Sequence, residues 1–219
     1  RQSMDIHFGD GLDAVTDRLE NKRTIDLGNV PTAEFTPQEA AARFEQLDFA
    51  CGAEMLAYCE REGIAISEAM CRRERCMLAA DGVAVDNTRR YLERVLSVMR
   101  ESATTPITSP VRSMGGLIGG EAAALSKLEA KTDSGTANAC IADPMLARAT
   151  TYAMAVLETN ASMGRIVAAP TAGSSGVVPA MLLAAQDEHG FSDEELINAL
   201  ANAAAIGYLI TRNATVAGA

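Results

Sequence analysis

Apolar residues recur at helical spacing over several long segments of the chain. The spacing of three and four residues is clearest within 91–99, 145–157 and 196–208, and each segment predicts a helix with one apolar face. Tryptophan is absent and aromatic residues make up 4% of the chain, so side chains that favour strands are scarce. The predicted fold class is all-α, a compact multi-helix domain with glycine-rich loops.

Helix start and stop signals divide this pattern into elements. The segment Thr36-Pro37-Gln38-Glu39 combines an N-cap threonine, a proline at the first helical position and a glutamate three residues after the cap. It predicts a helix that runs to about Glu62 and ends at Gly63. Residues 1–35 lack sustained periodicity and are predicted to form an arm or linker, with a short helix near 11–20. The helical domain is predicted to cover 36–219.

The other helices follow from the same signals. They are predicted over 67–77, 83–102, 121–131, 144–160, 177–186 and 193–212. Prolines and glycines mark 104–120 as the main break. A second capping box begins at Ser192, and Asp143 is predicted to cap the helix that Pro144 opens. Residues 166–169 fit neither helix nor strand decisively by pattern.

Charge and apolar composition exclude several kinds of partner. A formal net charge of −10 argues against nucleic acid, which requires clustered lysine and arginine. The longest apolar runs, within 166–170 and 177–185, are too short to span a bilayer. Five cysteines without a disulfide framework fit a reducing cytoplasm. The predicted location is the cytoplasm, with neither a membrane nor a nucleic acid as partner.

The loop at residues 170–176, Pro-Thr-Ala-Gly-Ser-Ser-Gly, is the strongest indication of a binding site. It places three hydroxyls and two glycines directly before an apolar helix. Backbone N–H groups at a helix start have no partner within the helix and lie at the positive end of its dipole. Such a loop suits a carboxylate or a phosphate. The alternative is that Ser174 or Ser175 is an ordinary N-cap, although a cap needs a single hydroxyl.

A second glycine-rich segment precedes the helix predicted at 121–131. Glycines at 115, 116, 119 and 120 suggest positive φ or a close approach of the backbone to another group. Ser109 and Ser113 could add donors to the same pocket, and Glu121 opens the helix with a carboxylate. The alternative is a flexible connector followed by an ordinary first-turn acid that the helix dipole favours.

The residues themselves give weak support to a metal site. The cysteine spacings of eight and five residues form no Cys-x-x-Cys pair, and buried cysteine is commonly a small apolar side chain. The residues considered are Cys51, Cys59, Cys71, Cys76, Cys140, His7 and His189. No metal ligand is predicted among them.

Three separated segments resemble the alpha subunit, or alpha domain, of the iron–sulfur L-serine dehydratases. They are Asn-Ala-Ser-Met-Gly-Arg-Ile-Val-Ala-Ala-Pro-Thr-Ala-Gly-Ser-Ser-Gly-Val-Val-Pro at 160–179, Ser-Met-Gly-Gly-Leu-Ile-Gly-Gly-Glu-Ala at 113–122, and Asn-Ala-Thr-Val-Ala-Gly-Ala at 213–219. The resemblance covers about 64–219, and Glu121 stands where the family usually has aspartate. In that family the cluster cysteines follow the third segment. The resemblance therefore implies that the cluster ligands lie after Ala219 and that the helical domain is incomplete at its carboxyl end.

The resemblance implies an L-serine ammonia-lyase that converts L-serine to pyruvate and ammonia. It implies a [4Fe–4S] cluster that binds the serine hydroxyl as a Lewis acid, and a beta subunit or beta domain as partner in a homo- or hetero-oligomer. This chain would hold the substrate and stabilise charge that develops on its Cα. The implied substrate-binding residues are Thr171, Gly173, Ser174, Ser175, Asn160, Asn213, Ser113, Gly119, Gly120 and Glu121. The two asparagines could instead be helix caps, and no catalytic base is identified.

Two other interpretations stay open. A pyridoxal-phosphate-dependent dehydratase would use residues 173–176 as a phosphate cup, but it needs a Schiff-base lysine near a strand end. The lysines considered, Lys22, Lys127 and Lys131, lie in polar surroundings. The other interpretation is an inert helical module that needs a partner or a missing carboxyl half. In that case the isolated chain would bind no iron and show no dehydratase activity.

Overall fold

The computed structural model describes residues 36–81, 87–133 and 143–214. Within them the chain forms eight helices, and the only strand-type bridge is at Val167. The helices are α1 Pro37–Leu47, α2 Gly52–Glu62, α3 Ile66–Ala80, α4 Asn87–Thr108, α5 Glu121–Asp133, α6 Pro144–Ala161, α7 Val177–His189 and α8 Asp193–Asn213. The prediction of an all-helical fold is confirmed. The predicted arm at 1–35, with its short helix, lies outside the described residues.

Contacts divide the chain into two compact units. The described part of the first unit consists of residues 36–81, 87–94 and 193–214, and that of the second unit consists of residues 95–133 and 143–192. The predicted extent of one helical domain over 36–219 stays a prediction. Among the described helices, none combines the length and the apolar character that crossing a bilayer demands.

In the first unit, α3 packs against α1, α2 and α8. Their shared core is apolar and consists of Leu47, Phe49, Met55, Cys59, Ala69, Met70, Cys76 and Ala205. Met70 is 2% exposed, and burying a side chain of this size contributes about 2 kcal/mol. The guanidinium carbon of Arg73 lies 4.9 Å from the ring centre of Phe44 and 4.1 Å from that of Tyr208. Apolar burial and a stacked cation therefore hold this unit together.

The prediction of a single helix from Pro37 to Glu62 is wrong, because the chain breaks at residues 48–51 between α1 and α2. Both ends of the predicted helix are confirmed. The capping box of Thr36 with Glu39 is formed, and Gly63 ends α2 in the left-handed conformation with φ of 64°. The local signals at the two ends were therefore sound, and only the interruption was missed.

The last turns of α8 stabilise the break. The hydroxyl of Tyr208 donates to the carboxylate of Asp48 at 2.6 Å, and the guanidinium of Arg212 donates to the same oxygen at 2.8 Å. The side-chain amide of Asn213 donates to the backbone carbonyl of Ala50 at 2.9 Å. Tyr208 and Asp48 are 160 residues apart in the chain, so the local pattern could not reveal the break.

In the second unit, α6 packs against both α5 and α7. The buried face of α6 consists mainly of small and β-branched side chains, including Ala149, Thr151, Ala155 and Val156. Polar contacts join the same helices. Arg148 Nε donates to the carboxylate of Glu129 on α5 at 2.7 Å, and the Tyr152 hydroxyl donates to Asp187 on α7 at 2.5 Å. Close packing and these hydrogen bonds together fix α5 and α7 on α6.

The helix α4 continues past the point where the main break was predicted to begin, at Thr104. It includes Pro106, which has no N–H and so leaves the carbonyl of Ser102, four residues earlier, without a helical partner. The hydroxyl of Thr159 on α6 donates to that carbonyl at 2.9 Å. This tertiary hydrogen bond replaces the missing helical one. The break therefore begins at Ser109, whereas the predicted limits of α3, α5, α6, α7 and α8 agree closely with the structure.

Candidate functional site

The hydroxyls of the loop at 170–176 are hydrogen-bonded within the loop. The side-chain oxygens of Thr171 and Ser174 are 3.0 Å apart, and Ser174 donates to the carbonyl of Ala169 at 3.0 Å. The Ser175 hydroxyl is buried and donates to the carbonyl of Ala172 at 2.6 Å. The three hydroxyls that the sequence offered as ligand donors therefore shape the loop in this structure.

The unpaired donors of the loop are backbone amides. Ala172 and Gly173 are exposed, and their N–H groups have no hydrogen-bond partner in the described part of the chain. The amides of Thr171 and Ser174, by contrast, each donate to the other's side-chain oxygen, at 3.2 and 3.3 Å. These amides lie in the turn that leads into α7, whose positive dipole end favours an anion. The loop thus keeps its own shape while offering adjacent donors to a ligand.

Gly176 fixes the place where this loop meets α6. A Cβ atom at position 176 would lie 2.9 Å from the carbonyl oxygen of Ala153 and 3.2 Å from its Cα. A contact of that length to backbone is too short for a side chain. Glycine therefore lets α7 begin directly against the backbone of α6.

The second glycine-rich segment closes on itself before α5. The N–H of Ser113 donates to the carbonyl of Ile118 at 2.8 Å, and the N–H of Ile118 donates to the Ser113 hydroxyl at 3.2 Å. Gly119 has φ of 140°, and a Cβ there would lie 2.6 Å from the carbonyl oxygen of Val111. Gly120 has φ of 106°. The expected positive φ or close backbone approach is confirmed at positions 116, 119 and 120, whereas Gly115 has neither feature.

Two carboxylates accept hydrogen bonds from the backbone amides at the start of α5. The N–H of Gly119 donates to Glu121 at 2.7 Å. The N–H groups of Gly120 and Ala122 donate to the two oxygens of Glu158, at 3.0 and 2.7 Å. The hydrogen bond from Gly119, together with other backbone contacts, holds the pKa of Glu121 below its ordinary value. The start of α5 is therefore filled by carboxylates of the protein itself.

Glu158 is 1% exposed and is not among the site residues predicted from the sequence. Its position on α6, three residues after Ala155 and seven after Thr151, belongs to the buried face of that helix. A charged residue at such a position indicates a buried partner, since charged side chains are rarely buried without one. The partners lie 36 and 38 residues away, so only the fold identifies them.

Both loops are built on the carboxyl-terminal half of α6. The start of α7 contacts α6 at Ala153, and the start of α5 contacts it at Glu158. Five residues of helix correspond to a rise of about 7.5 Å and a rotation of about 140°. The two helix starts therefore flank the same stretch of α6 within the second unit.

The two asparagines predicted for the site differ in their surroundings. Asn160 is half-buried near the end of α6, and its side-chain amide has no partner among the residues that the structure describes. Asn213 belongs to the first unit, where its Nδ2 donates to the carbonyls of Ala50 and Leu209, at 2.9 Å each. Asn160 is thus available to a ligand, whereas the Nδ2 of Asn213 is engaged in packing. A place for Asn213 in the substrate site stays a prediction.

A [4Fe–4S] cluster does not fit the described residues. Over 36–81, 87–133 and 143–214, no three Cys, His, Asp or Glu side chains gather closely enough to hold a metal ion. Burial raises the pKa of the Cys59, Cys71 and Cys76 thiols, which disfavours the thiolate that a metal needs. Cys51 is exposed, and Cys140 lies outside the described residues.

The fold and the site define a helical protein in which a loop rich in glycine and hydroxyl residues precedes the helix α7. The family described as "Serine dehydratase alpha chain" matches residues 60–219. The chain therefore belongs to the serine dehydratase alpha chain family, and the resemblance seen in the three segments is confirmed. Both glycine-rich loops lie within the matched residues.

Several known proteins are similar to this chain. It is 36% identical over 166 residues to the L-serine dehydratase, alpha chain, of Peptoniphilus asaccharolyticus, covering 76% of this chain and 54% of the relative. It is 34% identical over 166 residues to the probable L-serine dehydratase, alpha chain, of Bacillus subtilis (strain 168), covering 76% and 52%. It is 30% identical over 197 residues to L-serine dehydratase 2 of Escherichia coli (strain K12), covering 87% and 40%. The chain spans about half the length of the first two relatives and less of the third.

Proposed function

We propose that this chain supplies the carboxylate site of an L-serine ammonia-lyase, which converts L-serine to pyruvate and ammonia. The observation that carries the proposal is the pair of exposed amides of Ala172 and Gly173 in the loop before α7, which have no hydrogen-bond partner among the described residues. Membership of the serine dehydratase alpha chain family supports serine as the substrate, since the relatives are named L-serine dehydratases.

The loop would act by positioning the substrate and by stabilising charge. The two amides and the dipole of α7 would bind the serine carboxylate. A carboxylate held in this way also accepts part of the negative charge that develops when the Cα proton leaves. The mutual hydrogen bonds of Thr171 and Ser174 hold the amides in place before the substrate arrives, so binding would order little of the chain.

The other groups of the enzyme belong to the proposal for the whole protein. We propose a [4Fe–4S] cluster whose ligands lie outside the described residues, because the described cysteines do not gather around a common point. A beta subunit or beta domain is proposed as the partner, in keeping with the alpha-chain name of the family. The pyridoxal-phosphate alternative has less support. Lys127 is exposed on α5, and the described part of the chain contains no sheet beside which a Schiff-base lysine could stand.

The proposal is tested by removing one amide of the loop. Gly173→Pro deletes the N–H, whereas Gly173→Ala keeps it and is the matched control. A Cβ at position 173 would be 3.8 Å from the hydroxyl of Thr171, which is an ordinary contact. In the full-length enzyme we expect the proline variant to raise KM for L-serine by about tenfold or more, because a hydrogen bond to a charged group is lost. The alanine variant should stay within about twofold of the wild type.

Far-UV circular dichroism of both variants would establish that the helices are intact. A proline variant with unchanged helicity and unchanged KM for L-serine would refute the carboxylate site.

A further inference from the structure

We infer that Glu158 is a positioning residue that holds the turn at residues 119–121, and with it the carboxylate of Glu121, at the edge of the substrate site. The inference rests on the proposed function, because it assigns this turn to the serine site. Glu158 is not among the site residues predicted from the sequence, and its role follows from contacts that only the folded chain brings together.

Glu158 bonds to the turn on both sides of Glu121. Its Oε2 accepts the N–H of Gly120 at 3.0 Å, and its Oε1 accepts the N–H of Ala122 at 2.7 Å. One carboxylate therefore fixes the residue before Glu121 and the residue after it. The side chain of Glu121 accepts the N–H of Gly119 at 2.7 Å, so its direction depends on the same backbone.

The turn needs support from outside itself. Gly119 and Gly120 have φ of 140° and 106°, which lie in a region that residues with a side chain rarely adopt. The first N–H groups of α5 have no partner within the helix. Glu158, on the helix α6, accepts the N–H of Gly120 in the turn and the N–H of Ala122 in the first turn of α5.

Burying a carboxylate costs more free energy than burying an apolar side chain of the same size. Glu158 is 1% exposed among small and apolar neighbours on α6, and burying a charge is unfavourable unless it is fully hydrogen-bonded. An apolar side chain of similar volume would pack at that position with less penalty. Its two hydrogen bonds instead define the geometry of the turn, and this is the function that we assign to the carboxyl group.

Glu158 lies on α6 five residues after Ala153, the residue that the start of α7 contacts. Thr159 donates to the carbonyl of Ser102, and Asn160 has a side-chain amide with no partner within the described ranges. Consecutive residues at the end of α6 therefore bond to α5 and α4, and the next residue, Asn160, has a side-chain amide without a partner in the described part of the chain. A shift of the Glu158 side chain would therefore move the turn that contains Glu121.

The test compares Glu158→Gln and Glu158→Ala with Glu188→Gln in the full-length protein. Glu188 is an exposed carboxylate on α7 and is the matched control. Hydrogen–deuterium exchange of the segment 113–122 is measured without serine, followed by kcat and KM for L-serine. We expect exchange in this segment to become about tenfold faster or more in Glu158→Ala, with a smaller change in Glu158→Gln, which keeps one acceptor oxygen. We expect kcat/KM to fall in the same order, while Glu188→Gln matches the wild type.

Three results would overturn the inference. One is unchanged exchange of 113–122 in both variants at position 158. Another is faster exchange of this segment with unchanged kcat and KM, because the turn would then lie apart from the serine site. The third is equally faster exchange in α7, which would indicate a general loss of stability. Because exchange is measured without serine, the bonding role of Glu158 is judged separately from the Gly173→Pro result.

Discussion

The amides at the start of α5 donate to carboxylates of the protein itself; they are those of Gly119, Gly120 and Ala122. In the loop before α7, by contrast, the amides of Ala172 and Gly173 are unpaired within the described residues. Both segments are rich in glycine, and both precede a helix that packs on α6. A helix start that already holds two carboxylates repels a third, because like charges at short range are unfavourable. The comparison teaches that glycine and hydroxyl content marks a helix start, but the partners of its amides decide whether a ligand anion can bind there.

The largest expected effect on the contrast between the two helix starts is that of a substitution at Gly119. Gly119→Ala should lower the free energy of unfolding by about 3 kcal/mol, because the new Cβ would lie 2.6 Å from the carbonyl oxygen of Val111 at a φ of 140°. Urea unfolding of the full-length protein, followed by circular dichroism, measures this change. Gly115→Ala is the control, since a Cβ at position 115 meets open space. Equal stability of the two variants would mean that the segment before α5 is not closed as described.

Ser175 tests whether the hydroxyls of the α7 loop are structural. Ser175→Ala should lower the free energy of unfolding by about 1 kcal/mol, because a buried hydroxyl loses its bond to the carbonyl of Ala172. The KM for L-serine should be unchanged. Urea unfolding and steady-state kinetics of the same preparation check both statements. A raised KM with unchanged stability would instead make Ser175 a ligand donor, as the sequence predicted.

The smallest effect is a pH dependence at the start of α5. Backbone hydrogen bonds, first that of Gly119, lower the pKa of Glu121 from its ordinary value of 4.5. Its stabilising contribution is therefore complete above pH 4.5 and is lost as the pH falls through the lower pKa of the folded state. Glu121→Gln does not titrate, so the difference in unfolding midpoint between wild type and variant should shrink as the pH is lowered.

Thermal unfolding of wild type and variant between about pH 7 and pH 3 measures this difference. Glu188→Gln, which removes an exposed carboxylate on α7, is the control and should not reproduce the trend. A difference that grows towards acid pH would show that ionised Glu121 opposes folding.

Much of the helical framework could be predicted from the sequence, because helix caps are local. The capping box at Thr36, the cap at Asp143 and the end at Gly63 each depend on residues within one turn of the helix. The errors occurred where a remote residue decides the outcome. The break at 48–51 is bonded by Tyr208, and the helix passes Pro106 because Thr159 bonds the freed carbonyl.

The segments of the candidate site could be predicted from the sequence, but the hydrogen-bond partners of their hydroxyls and amides could not. The loop at 170–176 and the segment before Glu121 were identified from glycine, hydroxyl and carboxylate positions. The pairing of the Thr171 and Ser174 hydroxyls depends on side-chain directions. The hydrogen bonds that Glu158 accepts from the amides of Gly120 and Ala122 depend on contacts across the fold. No pattern in the neighbouring residues carries that information.

The sequence by itself determined the helical class, most helix limits, the resemblance to the serine dehydratase alpha chains and the positions of both glycine-rich loops. These depend on periodicity, on caps and on glycine placement, which are properties of short segments. Which loop has amides without a partner among the described residues depends on the fold, because the competing acceptor Glu158 reaches the start of α5 from another helix. The tertiary structure also decided that Asn160 is available while Asn213 ties α8 to the carbonyl of Ala50, because only packing brings an amide and a remote carbonyl within hydrogen-bond distance.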